Sequence, residues 1–391
     1  MNFKRNKKLF TRISILLAIL IITALLLTGC VSGMTPIGWS GVIVNNGMMY
    51  TGSKEGRLVS VDLSNNSLLF AEPLKVPSTG GSSCSSIGGG SSCGGAPPGV
   101  AIYGTPVVSN VPVFGDLVYV AGYNGKVFAY DAKTLQQRWV YPVDGNLAPI
   151  ISTIAISGNT LYFGCTDNNV YALDTSTGIK KWQFSSGGEI WSSPVVDNNT
   201  VFISSFDKKI YALDAATGTK KWDFPTEANN VATPLALNGV VYVGSLDRSI
   251  YAINETTGNQ IWKFTGGNWF WAKPVEANGL IFAPCLDGKV YGLDAKTGSK
   301  LVEYNVEGQI ASWPVVVNNQ VIVATQKGKL LALSANTANP SQKLIATIPE
   351  NVTAPLANNN DVVYINGPDN NVYAYNVITG AKLSPISLKS Q

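Results

Sequence analysis

Four carboxylates stand at a recurring place in this 391-residue chain. Glu189, Glu227, Glu307 and Glu350 each fall 25 to 27 residues before an Asp, Asn or Ser that itself recurs, and Asn268 takes the corresponding place in a fifth case. Oxygen ligands gathered from consecutive units suit a hard cation, and the same negative charge steers basic partner segments. The competing reading is a set of solvated loop charges with no common focus. Aromatics accompany them irregularly: Trp191, the run Trp269-Phe270-Trp271, and Trp313. These either plug the opening that the carboxylates surround or form a recognition patch, as exposed aromatic anchors commonly do. The chain has no histidine, which removes Ser-His-Asp triads, histidine zinc sites and haem-attachment motifs.

What positions these residues is a repeat. Asp131, Asp174, Asp214, Asn254, Asp294, Ser334 and Asn376 follow one another at intervals of 43, 40, 40, 40, 40 and 42, and Asp62 adds an eighth unit. A fixed period near forty means stacked units that cannot bury their hydrophobic faces alone. The unit beginning at Pro194 parses into four short strands, 195–196, 201–204, 210–213 and 221–224, separated by the turn pairs Asn198-Asn199, Asp207-Lys208 and Thr217-Gly218. The expected fold is all-β, an eight-bladed β-propeller of four-stranded antiparallel blades over residues 36–391. Pro194, Pro234, Pro274, Pro314 and Pro355 open five blades where no ladder donor is lost. A small residue stands nine positions before each anchor, which reads Cys165 and Cys285 as packed apolar residues rather than redox groups. Residues 42–70 already make a full blade and 382–388 supply the last strand of the eighth, so no shared closing strand is required, although residues 34–40 are available to extend an edge.

The ends and one insertion set the context. Lys4, Arg5, Lys7, Lys8 and Arg12 precede the apolar run Ile13 to Leu27, the pattern of an export signal over 1–29. Leu27-Thr28-Gly29-Cys30 resembles the lipobox of bacterial lipoproteins, which implies cleavage before Cys30, acylation of its thiol, a short tether over 30–35 and a body outside the cytoplasm, anchored to the cell membrane or an outer membrane. Without the signal, 23 basic residues face 24 acidic ones, so charge gives no reason to expect nucleic acid as a partner. Between the first and second units lies a Gly/Ser-rich insertion, 72–104, too simple in composition to pack a core. Its thiols Cys84 and Cys93 are expected to pair outside the cytoplasm.

The turn residues carry a family likeness. Ala172-Leu-Asp174 to Trp182 and Ala212-Leu-Asp214 to Trp222, each with Thr-Gly between, resemble the tryptophan-docking motif of quinoprotein β-propellers; Asn254 to Trp262 and Asp131 to Trp139 repeat it with one departure each. The resemblance implies that Trp139, Trp182, Trp222 and Trp262 staple neighbouring blades, a role that suits a large indole whose N–H can meet a carbonyl. In the enzymes of that family it also implies pyrroloquinoline quinone and calcium, beside an adjacent cysteine pair that this chain lacks. Lipobox, eight repeats and missing catalytic groups together resemble the BamB-type lipoproteins of outer-membrane barrel assembly. That likeness implies a monomeric, non-enzymatic scaffold binding protein partners in the envelope and no cofactor. A quinone and calcium dehydrogenase, or a surface propeller binding solutes or glycans, are the alternatives.

Overall fold

Strand-forming residues run without polar interruption through the middle of each repeat. Thr200–Ser204 is buried at every position, whereas Lys220–Pro225 opens with two exposed lysines before the buried Trp222. Middle strands covered on both faces read as continuous apolar runs, and only an outer strand keeps a polar side. The computed structural model of the protein describes residues 38–71, 74 and 100–389. The expected signal, Cys30, the tether and the Cys84–Cys93 pair lie outside the described residues.

Those residues form eight sheets of four strands, each sheet built from consecutive strands in chain order. Blade 4 is typical: Val195–Asp197, Thr200–Ser204, Lys209–Asp214 and Lys220–Pro225, all antiparallel. First strands of most successive blades lie side by side around a central axis. Blade 1 takes its four strands from Val42–Phe70, and blade 8 ends on Ile386–Ser387. The ring therefore closes by packing, not by a shared strand. Val42, Met49, Val59 and Val61 of blade 1 meet Tyr364, Val372, Ala374 and Ile386 of blade 8. Residues 38–40 add no strand to an edge; Ser40 enters the joint through its backbone carbonyl. Asn366 Nδ2 donates to Ser40 O at 2.9 Å, Thr51 Oγ1 at 3.0 Å and Gly52 O at 3.2 Å.

The docking tryptophans sit between blades. Trp182 Nε1 donates to Ala215 O of the next blade at 3.0 Å, and Trp139, Trp222 and Trp262 do the same to Thr175, Glu255 and Ala295. Each indole lies on a glycine of that next blade: a Cβ on Gly178, Gly218, Gly258 or Gly298 would fall within 2.8 Å of a ring carbon. This explains where the motif lapses. Leu135 fills the glycine place of blade 2 because blade 1 has no indole to send: Leu69 stands opposite Ser60 where Trp222 stands opposite Ala212; Val302 replaces tryptophan in blade 6 while Tyr304 hydroxyl reaches Ser334 O of blade 7 at 2.7 Å. The anchors cap their turns: Asp214 Oδ1 accepts from Ala216 N, Thr217 N and Thr217 Oγ1 at 3.0 to 3.1 Å, and Asn254 Oδ1 repeats the pattern. An acceptor oxygen is what the turn needs, so Asn serves where Asp does. Cys165 and Cys285 are buried free thiols, and burial pushes both up to about 12.

Gly218 and Gly239 separate the two costs of a glycine. Both have positive φ, but nothing lies within 4 Å of a Cβ on Gly239. Gly239→Ala is expected to cost roughly 1 kcal/mol from backbone strain alone, and Gly218→Ala about 1–3 kcal/mol more from the clash with Trp182. Urea midpoints of the two variants measure the difference, and equal midpoints would refute the wedge.

Candidate functional site: the loops at one mouth of the ring

In an up-and-down blade, the link from its fourth strand to the next blade and its own second-to-third turn lie at the same end. These loops are tied down by a recurring clamp. Asp207 Oδ2 accepts from Gly187 N of the incoming loop at 2.8 Å and from Tyr211 hydroxyl at 2.5 Å. Asp247 with Tyr251, and Asp287 with Tyr291, hold Glu227 N and Gly267 N in the same way. A serine adds a second tie: Ser192 Oγ donates to Ser204 O at 2.8 Å and accepts from Ser204 N at 2.9 Å, as Ser152 does with Gly164. Neither set was found from the sequence, although the Asp-x-x-x-Tyr pair stands seven before the anchor and the serine 22 before it.

The clamp corrects the place assigned to the carboxylates. Gly187, Glu227 and Gly267 are equivalent, because each donates its N–H to the clamp aspartate. Glu189, Asn229, Trp269 and Gln309 are equivalent in turn, because each carbonyl accepts from the following second-to-third turn. Glu189 and Glu227 thus lie two positions apart in the loop, and Asn268 belongs to neither place. Nor do their charges converge. Glu227 pairs with Lys263 at 3.0 Å and Glu307 with Lys329 at 2.5 Å. That lysine holds the Glu307 carboxyl below its ordinary value. Glu189 accepts from Trp191 Nε1 at 2.8 Å, and Glu350 is exposed. Among the described residues no three acidic or thiol side chains are grouped to hold a metal ion. The four carboxylates share an end of the ring without sharing a ligand.

The aromatics divide. Phe270 is buried, with its ring against Tyr291, while Trp191, Trp269, Trp271 and Trp313 remain half-buried. Trp191 meets Phe206 at a tilt of 53°, with ring centroids 4.8 Å apart. Trp39 belongs with them and was missed: Trp39, Trp191 and Trp271 each stand 23 before their anchor. Trp39 meets Tyr103 edge-on at 4.5 Å, and Tyr103 meets Tyr123 at 5.2 Å.

Inside these loops, next to the first strands, a hydroxyl chain links blades. Thr105 N donates to Thr153 Oγ1 at 3.0 Å, Thr153 N to Ser193 Oγ at 2.8 Å and Ser193 N to Thr233 Oγ1 at 3.0 Å. The next two blades place Lys273 and Trp313 in this slot, 21 before the anchor. Burial lowers the Lys273 pKa from the ordinary lysine value.

Comparison with known proteins agrees with this architecture. A family model described as "Beta-alanine-activating enzyme, beta-propeller" matches residues 101–391, and the chain belongs to that propeller family. Among solved structures it is similar to BamB from Moraxella catarrhalis, with 19% identity, TM-score 0.62, and coverage of 89% of this chain and 94% of that one. It is also similar to the computationally designed Ika8 protein, with 15% identity, TM-score 0.65, and coverage of 85% and 94%. No curated protein matches the chain. The designed match shows how general this frame is, and function must be sought in the loops.

The clamp tyrosines make the mouth sensitive to alkali. Burial first, then the hydrogen bond to aspartate, raises all three, Tyr251 to about 12. A phenol whose folded value lies above the unfolded one, near 10, contributes stability that is full below about pH 10 and lost as pH rises through about 12. Tyr211→Phe should cost about 1 kcal/mol at neutral pH and weaken the alkaline decline, with faster hydrogen exchange at Gly187. Unchanged exchange there would show that the clamp does not hold the loop.

Proposed function

We propose that this chain is a non-catalytic, protein-binding scaffold of the cell envelope, tethered by lipid at Cys30 and receiving its partner on the mouth that carries the aromatic loops. One observation carries the reading: Trp39, Trp191, Trp269, Trp271 and Trp313 stand half-buried on loops at that end, and hydrogen-bonded clamps hold most of these loops in place. Large, rigid, partly covered aromatics lose little entropy on binding and dominate contact energies where they occur. The lipobox-like Leu27-Thr28-Gly29-Cys30 and the fold likeness to BamB support an envelope location and a barrel-assembly type of partner. The absence of histidine and the pairing of Glu227 and Glu307 with lysines support a role without catalysis. Nucleic acid is not among the proposed partners, and the working unit is one propeller.

In-cell cross-linking and capture from membranes should recover an outer-membrane barrel protein with the native chain and lose it with the Trp269→Ala, Trp271→Ala double variant, whose circular dichroism stays that of the native fold. Undiminished recovery with the double variant would remove the aromatic face from the partner site. Pyrroloquinoline quinone with calcium at saturation should leave the melting temperature unchanged. A rise of several degrees, which linkage requires of a ligand that binds only the folded state, would favour the quinone-dependent reading instead.

A further inference from the structure

Four joints between blades are closed by an indole that stands eight residues after its anchor and lies on the glycine four residues after the next anchor. Three others lack the indole and are closed by different means. Leu135 packs against blade 1, Val302 and Tyr304 against blade 7, and Ile345 against blade 8. The closing joint between blades 8 and 1 has no such substitute toward its outer wall. Val372 pairs with Ile386 as Ile210 pairs with Phe224, which puts Ser384 in the place of Trp222, and Ser384 is exposed. Across the joint Asn66 holds the glycine place. Its N–H donates to Asp62 O at 2.7 Å as the Gly218 N–H donates to Asp214 O at 2.8 Å, and its φ is 57°.

The consequence is a cavity of about 840 Å³ between the outer strands of blades 1 and 8. Asn66, Leu68 and Phe70 line it from blade 1, and Pro385, Ile386 and Lys389 from blade 8. Its volume falls in the range of sites for small organic groups, about 300–1,000 Å³. Its walls stay open to solvent: Leu68 is 37% exposed, and Pro385 and Lys389 are exposed as well. Bound small molecules are covered over most of their surface, so an open trough between two outer strands suits a side chain carried in by an extended backbone. No segment of this chain outside the described residues supplies a ring for it except Phe3 and Phe10, which belong to the expected export signal.

We propose that this trough is a lateral docking site for a tryptophan side chain on an extended acidic segment of a protein partner. Four joints of the same ring show the chemistry of the seat, an indole held between an outer strand and the turn of the neighbouring blade. Asn66 carries a Cβ where Gly178, Gly218, Gly258 and Gly298 have none, so the incoming ring lies farther out than the wedges, against Leu68, Phe70 and Ile386. A desolvated aromatic anchor of this kind carries most of the energy of a contact. Lys389 is the one ionisable side chain of the lining; it draws a carboxylate beside the tryptophan and sets preference and encounter rate more than affinity. The site goes beyond the mouth reading, and the two are separable because they share no residue.

The test is to pan a displayed library of random peptides on the full chain. Sequences with a tryptophan beside Asp or Glu should be enriched, and their synthetic forms should slow hydrogen exchange at Leu68 to Phe70 and at Ile386. Asn66→Gly combined with Ser384→Trp supplies the wedge in cis: the melting temperature should rise, and the peptides should bind at least tenfold more weakly. Where that variant fails to fold, Leu68→Asp, at a half-exposed position, serves instead and should weaken them as much. Lys389→Gln should lower affinity a few-fold and flatten its salt dependence. The Trp269→Ala, Trp271→Ala variant should bind the peptides undiminished. A library that enriches no tryptophan, peptides that bind the folded wall variants as tightly as the native chain, or indole itself binding as tightly as the peptides each overturns the proposal. Loss of the peptides in the Trp269→Ala, Trp271→Ala variant would assign them to the mouth and refute the trough.

Discussion

A blade of this protein has two apolar faces, and the whole structure follows from covering both. Leu58, Val59 and Val61 on one strand of blade 1 are all buried, although alternate residues of a strand point to opposite faces. A single sheet with two such faces is insoluble; a row of sheets leaves two faces bare at its ends. Closing the row into a ring removes the ends. The joint between blades 1 and 8 is therefore the contact on which the rest depends, and its apolar packing is supplemented by Asn366 and Asn370, which cross it by hydrogen bonds from the second-to-third strand region of blade 8. Polar bonds there fix the relative height of two blades whose flat apolar faces would otherwise tolerate sliding.

From blade 2 to blade 6 the same problem of register is solved by the tryptophan wedge. An indole buried between blades with its N–H on a carbonyl across the joint can occupy one height only, because the glycine beneath it is the one residue that leaves room for the ring. The wedge lies toward the outer rim, at the third-to-fourth strand turns, and the hydroxyl chain from Thr105 to Thr233 lies next to the axis. Two sets of ties at different radii prevent a blade from tilting as well as sliding. A loop mounted on such a frame inherits its rigidity, which is why the mouth can present half-buried aromatics without letting them collapse into the core.

The fold was legible in the sequence because every repeat uses the same few turn residues at fixed distances from Asp, Asn or Ser anchors. Asp174, Asp214, Asn254 and Asp294 could be read as turn caps directly, and each strand followed from them. The mouth was less legible for a definite reason. Its loops were measured from the anchor with a tolerance of two residues, and that tolerance merged Glu189 with Glu227, whose backbone contacts differ. Counted without tolerance, the same distances pick out Trp39 with Trp191 and Trp271, the serine ties, and Lys273 in a slot of hydroxyls. The convergence of charge could not be read at all, since Lys263 and Lys329, which neutralise Glu227 and Glu307, reach them from other strands.

Departures from a repeat are of two kinds, and the structure tells them apart. Leu135 breaks the glycine pattern, but the preceding blade has no indole to seat there; Val302 breaks the tryptophan pattern, but Tyr304 restores a bond to the next blade. These changes come in pairs, and each pair leaves the joint closed. The hydroxyl chain departs differently: Thr105, Thr153 and Ser193 each donate to a hydroxyl of the next blade, and after Thr233 the slots hold Lys273, Trp313, Ala354 and Gly41, none of which offers one. A compensated departure is explained by packing alone. Where the hydroxyl chain stops, the inner ties cover only part of the ring, and the remaining joints rest on apolar packing and, at the closing joint, on the bonds of Asn366.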